Sequence, residues 1–318
     1  MRFRNAMHIT IDNFQNVFKL LLYYLVTGLL FGSLIYVILR LSLSTILESP
    51  QMSHVKDLIG EFFRALTSGN TEYLGDFQTN FEEAVKDLVH LVGNNGGAIA
   101  GAIAGVCIMY LLIRFVDGLA MFAVGSVIND RMSTFSRTPF STAYFKNIGR
   151  AALYQLVYVP LCFLFDVLMG VACWFLFFYI PSLIPGQGII SVLIALLFTF
   201  TAVACLEALK MTLISGWMPA MIADRKKMGA AMKYSFTCKK EFGRRFSAFL
   251  VTVYIIAAGN VVFALCTFGS ALLITVPLSF IFLLSMQFVN YYNLNGRKFF
   301  ITYNKIVGGD EGPDGLSK

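Results

Sequence analysis

Charged side chains are scarce in this sequence. They make up 14% of the chain, against about 25% in an ordinary soluble domain. Those present are clustered, with long uncharged runs between them. A soluble enzyme is a poor fit to that pattern. Histidine is scarcer still: His8, His54 and His90 lie far apart, and no Cys/His spacing suits a metal. There is no H-E-x-x-H, no G-x-S-x-G and no Walker A sequence, so no catalytic motif, cofactor or metal site is expected. The six cysteines avoid the acidic stretch 44–97, where an exported disulfide scaffold would place them, so no structural disulfide is expected. No Ala-x-Ala cleavage site closes the first apolar run, which reads as a retained span.

What is there is apolar: 57% of the chain is hydrophobic. A bilayer-spanning helix needs about 20 mostly apolar residues. Six runs qualify, at 17–43, 98–127, 151–178, 189–216, 247–268 and 271–293. The expected fold is all-α: a polytopic integral membrane protein with six transmembrane helices, residues 1–318 forming one membrane domain. Lys/Arg asymmetry sets the orientation. The connections 128–150 and 222–246 are basic, whereas 44–97 holds eight acids against Lys56, Arg64 and Lys86. The basic connections and both termini are therefore expected to be cytoplasmic in a cell membrane. Segment 44–97 is expected to be an extracytoplasmic helical insertion. Residues 305–318 read as a disordered tail.

The two basic connections align without a gap. "INDRMSTFSRTPFSTAYFKNIGR" (128–150) and "IADRKKMGAAMKYSFTCKKEFGR" (222–244) share seven of 23 positions, where chance gives about one or two. The charged identities are Asp130/Asp224, Arg131/Arg225, Lys146/Lys240 and Arg150/Arg244. Two spans separate the copies, so they share an orientation. This implies a parallel repeat of helical hairpins, each preceded by a cytoplasmic amphipathic segment. Within the second copy, Tyr234, Cys238 and Phe242 recur at a helical spacing, with basic residues on other faces. Such a helix would lie at the headgroup boundary and attract anionic lipid. The plainer alternative is charge that only sets topology. In the outer segment, Val55, Leu58, Ile59, Phe62 and Leu66 form one apolar helical face. Phe81, Ala84, Leu88 and Leu91 form another, with a Thr79/Glu82 capping pattern at its start and a loop over 68–76 between the two helices.

Ionisable groups inside spans are costly and are candidates for function. The second run holds Arg114 and Asp117, the third Asp166, and the fourth Glu207 and Lys210. The i, i+3 spacings put opposite charges on one face. Asp166 has no partner on its own helix, so it should meet Arg114 or Lys210 from a neighbour. Asn260 in the fifth run is expected to hydrogen-bond between helices. Gly97, Gly101 and Gly105, four apart, would let another helix approach closely, either internal or from a second subunit. Pro160 and Pro277 should kink or break their helices.

Pro219, Asp224, the Ala230–Ala231 step, Ser235 and Phe242, followed by two spans with Pro277 in the last, resemble the membrane domain of bacterial glycerophosphodiester phosphodiesterases and similar six-span proteins. The resemblance covers about 100 residues of the second half. It implies a fold and no activity. The separate catalytic barrel of those enzymes has no counterpart in these residues, so no catalytic residue carries over. The acidic insertion departs from the compact family pattern. The leading expectation is a transport-associated or lipid-interacting membrane protein with a polar intramembrane cluster. The alternative is a non-catalytic scaffold or assembly subunit with a membrane-protein partner. The lipid bilayer and anionic headgroups are the expected partners, and nucleic acid is not.

Overall fold

The computed structural model describes residues 2–68, 71–183, 188–238 and 241–308. Helices dominate. They are α1 (Arg2–Asp12), α2 (Gln15–Leu47), α3 (Pro50–Ser68), α4 (Thr71–Asn94), α5 (Gly96–Thr134), α6 (Phe140–Leu183), α7 (Gly188–Ile214), α8 (Trp217–Ala223), α9 (Met228–Thr237), α10 (Phe242–Cys266) and α11 (Leu272–Leu294). Among the described residues, six stretches are long and apolar enough to cross a membrane: Gln15–Leu47, Gly96–Thr134, Phe140–Phe177, Leu193–Ala223, Phe242–Cys266 and Leu272–Leu294. The protein is a multi-pass, all-α membrane protein. In hydrocarbon each backbone N–H and C=O must be satisfied within the segment, and a helix does that locally.

Several helices outrun the hydrophobic runs that predict them. The 39 residues of α5 make a rod roughly 58 Å long, about twice the hydrocarbon thickness. This helix continues through Asp130 and Arg131, and α6 begins at Phe140, so the non-helical part of the 128–150 connection is 135–139. Phe135 turns the chain with φ 56°. In the second copy the chain leaves α8 at Asp224, turns through Arg225 with φ 53°, and forms α9 before α10. Cys238 is extended and Glu241 is left-handed, so α9 and α10 are separate helices. Tyr234, Cys238 and Phe242 therefore do not share one helical face. Neither Pro160 nor Pro277 breaks its helix. Pro160 lies inside α6 and Pro277 inside α11.

The chain divides into two compact units, residues 1–25 with 114–318, and residues 26–113. In the smaller unit α3 and α4 pack through Val55, Leu58 and Ala84, with Phe77, Phe81 and Leu88 around them. Ile59 is exposed, and the Leu66 side chain lies outside the described residues. The loop expected over 68–76 is mostly helix, because α4 starts at Thr71. Thr79 is thus two turns inside α4 and cannot cap it; the Thr79 and Glu82 side chains lie outside the described residues.

In the larger unit the core runs from Ala6 and Ile9 of α1 through Phe122, Tyr154, Trp217 and Phe249 to a long buried stripe of α11. Phe3 meets Phe282 edge-on at 5.2 Å, seating α1 against α11. Gly296, with φ 61°, ends α11, and Arg297 N–H donates back to Tyr292 O at 2.9 Å. A glycine takes the left-handed conformation at this helix end without steric cost. The turn leads into an antiparallel hairpin of β1 (Phe299–Thr302) and β2 (Lys305–Val307). Phe299 and Ile301 are buried. The tail expected to be disordered from 305 is therefore strand over 305–307, and residues 309–318 lie outside the described residues.

Candidate functional site: a chain of charges inside the spans

Glu207 and Lys210 sit one turn apart on α7, and Lys210 Nζ lies 2.6 Å from Glu207 Oε2. The same Nζ lies 3.2 Å from Asp166 Oδ1 on α6. The other oxygen of Asp166 lies 3.6 Å from Arg114 Nη2 on α5. Arg114, Asp166, Lys210 and Glu207 thus form a chain of alternating sign across three helices, with no net charge. The Lys210 side chain is only 9% exposed, whereas that of Arg114 is 48% exposed. Lys210 is the enclosed link and Arg114 the open end. Removing water from an ion is expensive, and opposite charges at short range offset that cost. Two carboxylates, Glu207 and Asp166, offset the cost of enclosing the Lys210 ammonium.

The packing below this chain follows a spacing of four on α6. Tyr154, Tyr158, Cys162 and Asp166 lie along one ridge of that helix. Tyr154 stacks on Tyr158 at 4.7 Å, and Trp217 meets Tyr154 edge-on at 5.1 Å. The ridge faces Glu207 and Lys210 on α7 and Trp217 on α8. Of the four ridge residues, only Asp166 is marked by charge within a span, although the i, i+4, i+8, i+12 spacing of all four is a signal in the sequence. Gly118 on α5 carries no such mark. A Cβ there would collide with the side-chain amide of Gln155, itself buried, so this glycine leaves room for that amide against α5.

The remaining expected residues are distributed elsewhere. Asp117 is half-buried near Tyr23 and Tyr24. Asn260 donates to Ser279 Oγ at 3.3 Å, tying α10 to α11 away from the charges. Of the three glycines, only Gly105 meets a neighbour: a Cβ there would lie 2.6 Å from Ile38 Cγ2 of α2, while Gly97 and Gly101 have nothing within 4 Å. The packing stripe is thus a single close contact.

The repeated motif makes a second polar layer. Arg131 pairs with Asp12 of α1 at 2.9 Å and lies over the Phe135 ring, and Thr138 Oγ1 donates to Asp130 at 2.6 Å. Asp224 accepts a hydrogen bond from Tyr291 at 2.6 Å and pairs with Arg297 at 2.6 Å and Lys226 at 3.1 Å. Arg150 donates to Met221 O. The first copy therefore holds the N-terminal helix, and the second holds the segment after α11. Glu241, between α9 and α10, pairs with Arg2 and with Arg244. Lys146 and Arg225 are exposed, the Arg244 side chain is 79% exposed, and Lys240 lies outside the described residues. Burial raises the Tyr234 phenol above its ordinary pKa, so it stays neutral beneath Lys226 and beside Asn295.

Among the described residues, no three His, Cys, Asp or Glu side chains come together to hold a metal ion. The six cysteines are free. Compared with protein-family models, curated proteins and solved structures, the chain matches none.

Proposed function

We propose that this multi-pass membrane protein is transport-associated or lipid-interacting, and that it acts through Arg114, Asp166, Lys210 and Glu207. The observation that carries the reading is the alternating charge chain itself. Four ionisable groups inside spanning helices are hard to maintain unless they serve a purpose. An arrangement of zero net charge with one exposed end suits exchange. A charged ligand arriving at Arg114 can replace Asp166 as its partner, and Asp166 is then left to Lys210. The basic residues Lys146, Arg225 and Arg244, all exposed, support contact with anionic headgroups. The Lys/Arg asymmetry supports cytoplasmic termini and an extracytoplasmic 44–97 segment. The matched 128–150 and 222–244 segments support hairpin repeats, and the glycerophosphodiester phosphodiesterase resemblance is proposed as a likeness of fold.

A second reading, a scaffold or assembly subunit, draws on the tightness of the Lys210 pairs. A network closed on itself can simply set helix packing. Native mass spectrometry of the gently extracted protein separates the two. The transport reading expects a discrete bound mass, lost in Asp166→Asn while folded yield is kept. A bare protein, or one carrying a second polypeptide, overturns it in favour of the scaffold.

A further inference from the structure

Beyond the charge chain, the larger unit holds a cavity of about 230 Å³ lined by Thr212, Leu213, Ser235, Phe236, Cys238, Phe242 and Arg245. Arg245 is 2% exposed. Its Nη1 donates to Thr212 O at 3.2 Å and its Nη2 to Cys238 O. Its Nε is buried and has no hydrogen-bond partner. Among the described residues, no carboxylate pairs with this guanidinium: Glu241, one turn before it, is engaged by Arg2 and Arg244. A buried cation without a counter-charge is unusual, since desolvation penalises it and nothing of opposite sign offsets the cost. Two backbone carbonyls supply dipoles and not a full charge.

The surroundings favour an anion. Phe242 opens α10, and Glu241 provides no side-chain cap for the first N–H groups of that helix. Those groups carry the positive end of the helix dipole. The hydroxyl protons near Arg245 are already committed, Ser235 to Leu213 O and Thr212 to Ala208 O. The guanidinium has five N–H groups and the two carbonyls accept from two of them, which leaves Nε–H and the second N–H of each terminal nitrogen for a ligand. The other walls are apolar, and Phe236 and Phe242 are partly exposed. The cavity lies where two membrane-spanning stretches meet α9, and it is smaller than a typical pocket of about 300–1,000 Å³ for a whole small molecule. It fits a compact charged head whose apolar remainder lies outside, against the two phenylalanines.

We propose that this cavity binds a phosphate group, with Arg245 as its counter-charge. The inference is independent of the Asp166–Lys210 chain. It is tested on the full chain in neutral detergent, by native mass spectrometry with dioleoylphosphatidylglycerol and with dioleoylglycerol, which has the same tails and no phosphate. The expected result is one retained phosphatidylglycerol and no retained dioleoylglycerol. Arg245→Gln should weaken retention about tenfold or more, the loss expected for a charge-assisted hydrogen bond. Arg244→Gln, at the exposed neighbour, and Asp166→Asn should leave it within about twofold. Saturable binding of inorganic phosphate, read as a rise in melting temperature, would identify a small free anion as sufficient. Phosphatidylglycerol retention without it would identify a lipid headgroup. Equal retention of the two lipids, or an equal loss in Arg244→Gln and Arg245→Gln, overturns the proposal. If Arg245→Gln does not fold, the comparison of the two lipids on the unaltered protein still decides.

Discussion

Asp130 and Asp224 occupy matched positions of the repeated segment, yet the same substitution should cost very different amounts at the two. Asp224 receives a phenolic hydrogen bond from Tyr291 and faces Arg297 and Lys226, and its side chain is mostly buried. Neutralising it in Asp224→Asn weakens one charge-assisted hydrogen bond and removes two ion pairs. The ion pairs are discounted because both cations are partly in contact with solvent. The sum is roughly 2–4 kcal/mol. Asp130 accepts one hydroxyl hydrogen bond, from Thr138, and an asparagine keeps an acceptor there. Asp130→Asn should cost about 1 kcal/mol or less. The assay is equilibrium unfolding of the full chain from mild detergent into dodecyl sulfate. Fluorescence can follow it, because Trp217 is fully buried beside Tyr154 and Tyr158. Costs equal to within about 0.5 kcal/mol, or a larger cost at Asp130, would refute the assignment of Asp224 as the tie between the α8 end and the segment after α11.

Two further outcomes use the same assay. A double-mutant cycle on Asp166 and Lys210 should give a coupling of about 1.5–3 kcal/mol, against about 0–1 kcal/mol for Asp166 and Arg114, where the distance is longer and the cation half exposed. The reverse order would show that Arg114 and not Lys210 is the principal partner of Asp166. Gly118→Ala should destabilise by about 1–3 kcal/mol because its methyl meets the Gln155 amide, whereas Gly101→Ala, with open space around it, should be neutral or stabilising by up to about 1 kcal/mol. Equal effects at the two glycines would remove Gly118 as the seat of the Gln155 amide on α5.

Part of the charge chain is legible in the amino-acid sequence. Glu207 and Lys210 have to share a face because three residues nearly complete a helical turn. Asp166 needs a partner from another helix, and the sequence offers Arg114 and Lys210 without choosing between them. The structure uses both: Asp166 on α6 meets Lys210 of α7 at 3.2 Å and Arg114 of α5 at 3.6 Å. Asn260, expected to hydrogen-bond between helices, donates to Ser279 Oγ of α11. Arg245 is one basic residue among several in its connection, and only burial sets it apart from exposed Arg244.

Six spans follow from sequence alone, because apolar length is a property of each segment and the bilayer demands helix wherever that length is met. The alignment of 128–150 with 222–244 is likewise a property of the string. The use of each copy is not. Arg131 holds α1 through Asp12, while Asp224 holds the chain after α11 through Arg297, and these partners lie 119 and 73 residues away. The break between α9 and α10 and the strand pairing of 299–307 likewise depend on what the rest of the chain presents. Periodicity tells which face of a helix is apolar. The neighbour that face meets, and the rotation that aligns one buried charge with another, is set only when the helices pack and each polar group must find its partner.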